Sequence, residues 1–203
     1  LEIKKMKNLS NSSNYQNAQV YSEQEKLPVG AYLLKIEDVK YEDNSSKGYN
    51  DNIIFRFDII EGEYAGFFRK NYSAQTGEDK KWKGTYRLRV PMDDGSEKDG
   101  WTQNRFKTVI AAFEESNDRY HWNWDEMTLK NKVIGAIFNE KEYDYNGRHG
   151  FFTNCYSLIS KDAIATAKIP GPTMLKNNSS NTATSGNSFL DVQDGTEEEI
   201  PFN

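Results

Sequence analysis

Residues 27–170 predict a mainly β domain: five strands interrupted by one helix. Three observations carry this. Aromatic residues make up 13% of the chain, a β-favouring excess over its modest aliphatic content. Period-2 alternation recurs in short stretches bounded by Gly, Asn and Asp. Only one stretch, residues 101–116, shows a clear 3.6-residue apolar repeat.

Taken in order, residues 1–26 are polar with Asn and Ser clusters and read as a flexible arm. Leu1 is not a natural start and Met6 is a plausible one. Structure is expected from Leu27-Pro28-Val29-Gly30, with a first strand over residues 31–41. The loop that follows carries Lys47 and Tyr49. The second strand, residues 51–60, is the clearest. Ile53, Phe55, Phe57 and Ile59 share one face, and Ile54, Arg56, Asp58 and Ile60 the other. A two-glycine turn leads to a third strand expected at residues 66–74. In the helix, Phe106, Val109, Ile110 and Phe113 form the apolar stripe, with Thr102 as N-cap. Trp122 and Trp124 are expected to pack in the core beside it. A fourth strand at residues 133–143 and a fifth at 150–160 flank the hairpin signal Asn146-Gly147. Residues 163–168 suit a short helix. This order predicts a five-stranded Greek-key barrel of the OB type, its helix between strands 3 and 4. Another small β barrel or an α+β sandwich would use the same elements. Residues 171–190 read as a flexible linker and residues 191–203 as an acidic interaction tail.

The formal charge of −5 belongs to the tail. All 26 basic residues lie at or before Lys176, and five of the 31 acidic residues are Asp191, Asp194, Glu197, Glu198 and Glu199. The body is therefore neutral overall and free to carry a basic face. One cysteine, Cys155, excludes an internal disulfide framework. No run is apolar enough to span a membrane and no signal peptide is evident, so a cytoplasmic protein is expected.

Residues 66–91 hold the densest mixture of cations and rings: Arg69, Lys70, Lys80, Lys81, Lys83, Arg87 and Arg89 with Phe67, Phe68, Tyr72, Trp82 and Tyr86. Single-stranded nucleic acid needs both, cations to follow phosphates and rings on which unpaired bases stack. On a strand, one of Phe67 and Phe68 would face the core. Trp82, between Lys81 and Lys83 in a glycine-flanked stretch, is expected at the binding surface. The hairpin adds Tyr143, Tyr145, Arg148 and His149, in the loop that flanks the groove of OB barrels.

Enzyme chemistry finds little purchase. Two histidines and one cysteine supply no recognisable zinc site, and no phosphate-binding glycine loop or nucleophile elbow is present. A Mg²⁺ nuclease built from Asp58, Glu78, Asp79 and Lys80 is the best such case, at loose spacing. The expectation is a non-enzymatic protein without metal or cofactor.

The last residues, DGTEEEIPFN, resemble the acidic tip of bacterial single-stranded DNA-binding proteins, which ends in Ile-Pro-Phe. That resemblance implies an OB fold coating single-stranded DNA without sequence readout. It also implies recruitment of replication, recombination and repair proteins. Carried over, Ile200, Pro201 and Phe202 dock on the partner while Glu197, Glu198 and Glu199 face its basic residues. Asn203 departs from the pattern, moving the terminal carboxylate one residue beyond Phe202. Residues 27–160 look more like phage-encoded replication and recombination proteins, which places the chain in a bacterial host cell. A single-strand annealing protein is the alternative, and homo-oligomerisation is left open.

Overall fold

The computed structural model describes residues 7–16, 25–76 and 79–175. A short helical turn, α1 (Ser13–Gln16), precedes the domain. The strands are β1 (Gly30–Glu42), β2 (Asn52–Ile59), β3 (Thr85–Arg89), β4 (Val133–Tyr145) and β5 (Arg148–Ile159). Two helices join them: α2 (Phe67–Ala74) between β2 and β3, and α3 (Glu97–Ser116) between β3 and β4. All pairings are antiparallel, and the sheet order is β3-β2-β1-β4-β5.

The mainly β class, the five strands and the helix after the third strand agree with expectation. Closure does not. Strands β3 and β5 form the two edges of an open sheet and do not pair with each other. Instead Arg105 on α3 reaches both, donating to the Tyr86 hydroxyl on β3 (2.8 Å) and the Tyr156 carbonyl on β5 (3.3 Å). The sheet turns at β1. Its first half pairs with β4 and its second with β2, and the register shifts between Ile36 and Asp38 where Glu37 is extra.

The expected third strand at residues 66–74 is helix α2, and the true third strand lies further on at Thr85–Arg89. The cause is tertiary. Asp58 is buried at the end of β2, and its carboxylate accepts the backbone N–H groups of Phe68 (3.0 Å) and Arg69 (3.2 Å). Those are two of the first-turn donors that a helix leaves unsatisfied. Gly66, with φ of +73°, turns the chain into that position. As helix neighbours, Phe67 and Phe68 both enter the core, where strand neighbours would have split.

Helix α3 begins one turn before the expected start. Ser96 is its N-cap, accepting from the Asp99 amide, whereas Thr102 is a buried interior residue bonded to the Lys98 carbonyl. The core is the inner face of the sheet against α2 and α3: Leu34, Ile36, Phe55, Phe57, Phe113, Leu88 and Phe138 are essentially inaccessible. Phe57 meets Phe68 and Phe138 edge-on at 5.4 and 6.1 Å. Trp122 packs against this core, but Trp124 does not enter it. It is 78% exposed, at φ +66°, and lies parallel to Phe106 at 6.2 Å.

After β5 the chain turns back to run beside β4 as far as residue 175. A 3₁₀ turn spans Lys161–Thr166, and Thr173 then bridges to Lys141 along β4. Asn139 donates to the Gly171 carbonyl, and Glu142 accepts the Leu175 amide. Among the described residues no helix is long and apolar enough to cross a membrane.

Candidate nucleic-acid interface

The pleat of β2 and β3 sorts their residues into two sets. Phe55, Phe57, Tyr86 and Leu88 face the core, so Ile54, Arg56, Thr85, Arg87 and Arg89 face outward. Cross-strand partners on the outward face are Arg56 with Thr85, Ile54 with Arg87, and Asn52 with Arg89. The segment before β3 lays Trp82 against this face. Its indole N–H donates to the carbonyls of Phe57 and Gly84, both at 3.1 Å, which fixes the ring plane. The Arg56 guanidinium lies 5.1 Å from the centre of that ring. Tyr72 on α2 meets Trp82 at 5.6 Å, and the Lys80 ammonium stands 5.9 Å from the Tyr72 ring.

The result is a ladder of cation, ring, ring and cation: Arg56, Trp82, Tyr72, Lys80. Gln75 holds the loop that carries it, accepting from the Lys81 amide and donating to the Lys81 carbonyl, each at 2.8 Å. Gly84 allows the approach of loop to sheet. A Cβ there would fall 2.5 Å from the Phe57 carbonyl oxygen and 2.7 Å from the Phe68 ring. Burial lowers the pKa of the Lys83 ammonium.

The other cations differ in availability. Arg69 is committed to Glu37 at 2.5 Å and lies 3.9 Å from Asp58. Arg87 is 3.6 Å from Glu42, whose pKa is lowered chiefly by the Asn52 amide. Lys70 is exposed on α2. Arg56 is exposed and makes no ion pair among the described residues. Two expected contact rings are not accessible: Phe67 is packed between Tyr64 and Phe68, and Tyr86 is buried under Arg105. Burial raises the Tyr86 phenol pKa.

The second expected region, the β4–β5 hairpin, has two unlike faces. Tyr145 pairs with Arg148, Tyr143 with Gly150, and Lys141 with Phe152. These residues continue the outward side of β4, because Ile134, Ala136 and Phe138 take the inward side. The opposite face carries Glu140, Glu142 and Asp144 across from Thr153, Phe151 and His149. Charge is thus segregated across the ribbon. Tyr143 packs over Gly150, where a Cβ would lie 2.9 Å from its hydroxyl, and meets Phe152 at 6.2 Å. Tyr145 is 54% exposed at the tip, beside the exposed Arg148. In the first loop, Asp51 accepts from the Tyr41 hydroxyl (2.5 Å) and the Asn44 amide (2.7 Å), leaving Tyr49 exposed.

Sequence reasoning did not single out Arg56, Ile54, Lys141 or Phe152 as contacts. The signal for Arg56 was present, since it alternates with the apolar residues of β2. The nuclease arrangement gains nothing from the geometry. The Asp58 oxygens are occupied by three backbone N–H groups, including its neighbour Ile59, and Glu78 lies outside the described residues. Among the described residues no three His, Cys, Asp or Glu side chains are grouped to hold a metal. The tail contacts Glu197, Glu198, Glu199, Ile200, Pro201 and Phe202 also lie outside the described residues. Comparison with known protein families and with curated proteins finds no match to this chain.

Proposed function

We propose that this protein binds single-stranded DNA without reading its sequence, in the course of replication or recombination in a bacterial host cell. The observation that carries the reading is the Arg56–Trp82–Tyr72–Lys80 ladder on the outward face of β2. Rings with cations at either end suit a chain of unpaired bases linked by phosphates, and base–aromatic stacking is worth about 1–3 kcal/mol per base. Arg87 and Arg89 extend the positive face, and the Lys141–Tyr143–Tyr145–Arg148 stripe supplies a second stretch of track. The sheet order, with β1 shared between β2 and β4 and a helix after β3, is compatible with a partly open OB-type Greek key. In such folds the face of strands 2 and 3 and the loop between strands 4 and 5 are the binding surfaces. Partner recruitment is assigned to residues 191–203 on their sequence alone.

Photo-crosslinking with a bromodeoxyuridine-substituted oligonucleotide tests the path. Adducts mapped by mass spectrometry are expected on Trp82 or Tyr72 and on Tyr145. Adducts confined to Trp101, Trp122 or Trp124 would overturn it.

A further inference from the structure

We infer that β5 is a self-pairing edge, and that two copies of this chain join through it into one continuous antiparallel sheet. Among the described residues β5 (Arg148–Ile159) pairs only with β4; Arg105 of α3 meets its other edge at Tyr156, and the stretch from Arg148 to Asn154 is left open there. The two-residue turn Asn146-Gly147 has positive φ at both positions (50° and 74°), the type I′ geometry of a tight hairpin. In such a hairpin the closing pair Tyr145 and Arg148 exchanges both backbone bonds, and alternate pairs follow. The N–H and C=O groups of His149, Phe151 and Thr153 therefore point away from β4. No backbone group of those three residues has a partner beyond β4 in the described structure. Further along, the Tyr156 carbonyl already takes a side-chain donor, Arg105.

An open edge of this length is normally protected by lysine, proline or a covering element. From Gly150 to Ile159, β5 has no charged residue and no proline. The other edge is different: β3 is five residues long and carries Arg87 and Arg89. Charge therefore selects the occupant. Antiparallel pairing of β5 with a second β5 brings no like charges opposite one another along that stretch, whereas pairing β3 with itself sets arginines together. A two-fold axis through β5 would also set the two basic hairpin stripes side by side on the outward face. That consequence for a bound strand rests on the reading above; the pairing itself does not.

Sedimentation of the full chain without nucleic acid, across the micromolar range, tests the inference. The expected result is a reversible shift from 23.4 kDa to twice that mass. Phe151→Lys should weaken the association by at least about tenfold, because the two introduced charges meet near the axis. Hydrogen exchange of the unmodified protein gives a second readout. The amides of Phe151 and Thr153 should exchange freely when dilute and become protected when concentrated. A monomer at every concentration, assembly that grows past two copies, an unaffected Phe151→Lys dimer, or unprotected amides would each overturn the proposal.

Discussion

Replacing Trp82 separates what that ring does for the fold from what it does for a ligand. The ring is half-buried and its N–H bonds two carbonyls, those of Phe57 and Gly84. Trp82→Phe keeps an aromatic face beneath Arg56 but removes the donor, which should lower stability by about 1 kcal/mol. Trp82→Ala also removes the ring. For a half-buried site the loss should be about 2 kcal/mol, below the range for a fully buried tryptophan. Binding should respond differently. One lost stacking platform, at about 1–3 kcal/mol, corresponds to about 5- to 150-fold weaker binding of oligo(dT) by Trp82→Ala. Trp82→Phe should stay within about threefold, because every base has a π-face and the phenyl ring still offers one. Urea denaturation measures the first pair of effects and fluorescence anisotropy of a labelled oligo(dT) the second. A folded Trp82→Ala variant that binds as tightly as the wild type would refute the assignment of this ring to the interface.

Three further substitutions probe the supports of the site. Asp58→Asn should destabilise the fold by about 1–3 kcal/mol, since its carbonyl oxygen can still accept from the Ile59 and Phe68 amides but its NH2 group sets a donor against the buried Arg69 N–H; thermal unfolding reads this directly. Gly84→Ala should cost about 1–3 kcal/mol in chemical denaturation, because its Cβ would collide with the Phe57 carbonyl and the Phe68 ring. Tyr41 donates to the Asp51 carboxylate, and that hydrogen bond pushes its phenol up to about 12 from the usual 10. The folded value is the raised one, so the stabilisation is complete below pH 10 and disappears between pH 10 and 12. Ultraviolet titration of the wild type minus Tyr41→Phe should place the missing tyrosinate step near 12, and a step at 10 would contradict the bond.

The strands β1, β2, β4 and β5 were legible because their alternation is local, and Asn146-Gly147 marks its hairpin by the φ values it accepts. Helix α2 was not. FFRKNYSA is rich enough in aromatics to read as a strand, and the group that makes it helical is Asp58, on another element. The misplacement carried through to the site: a strand splits Phe67 from Phe68, while the helix buries both and leaves Tyr72 to meet Trp82. Trp82, expected at the surface, is half-buried, because its N–H finds two carbonyls that no local pattern displays. Arg56 was visible by parity alone, yet its role depends on Trp82 lying across it, which only the folded loop reveals. Closure of a sheet rests on contacts between its first and last elements, so the open edges of β3 and β5 could not be read from strand order.

The most direct test of the central claim is titration of the protein with poly(dT), following tryptophan fluorescence over a series of salt concentrations. Quenching should shrink in Trp82→Ala, and log affinity should fall linearly with log salt at about −0.7 per phosphate neutralised. Absence of binding at low salt, or an affinity indifferent to salt, would contradict it.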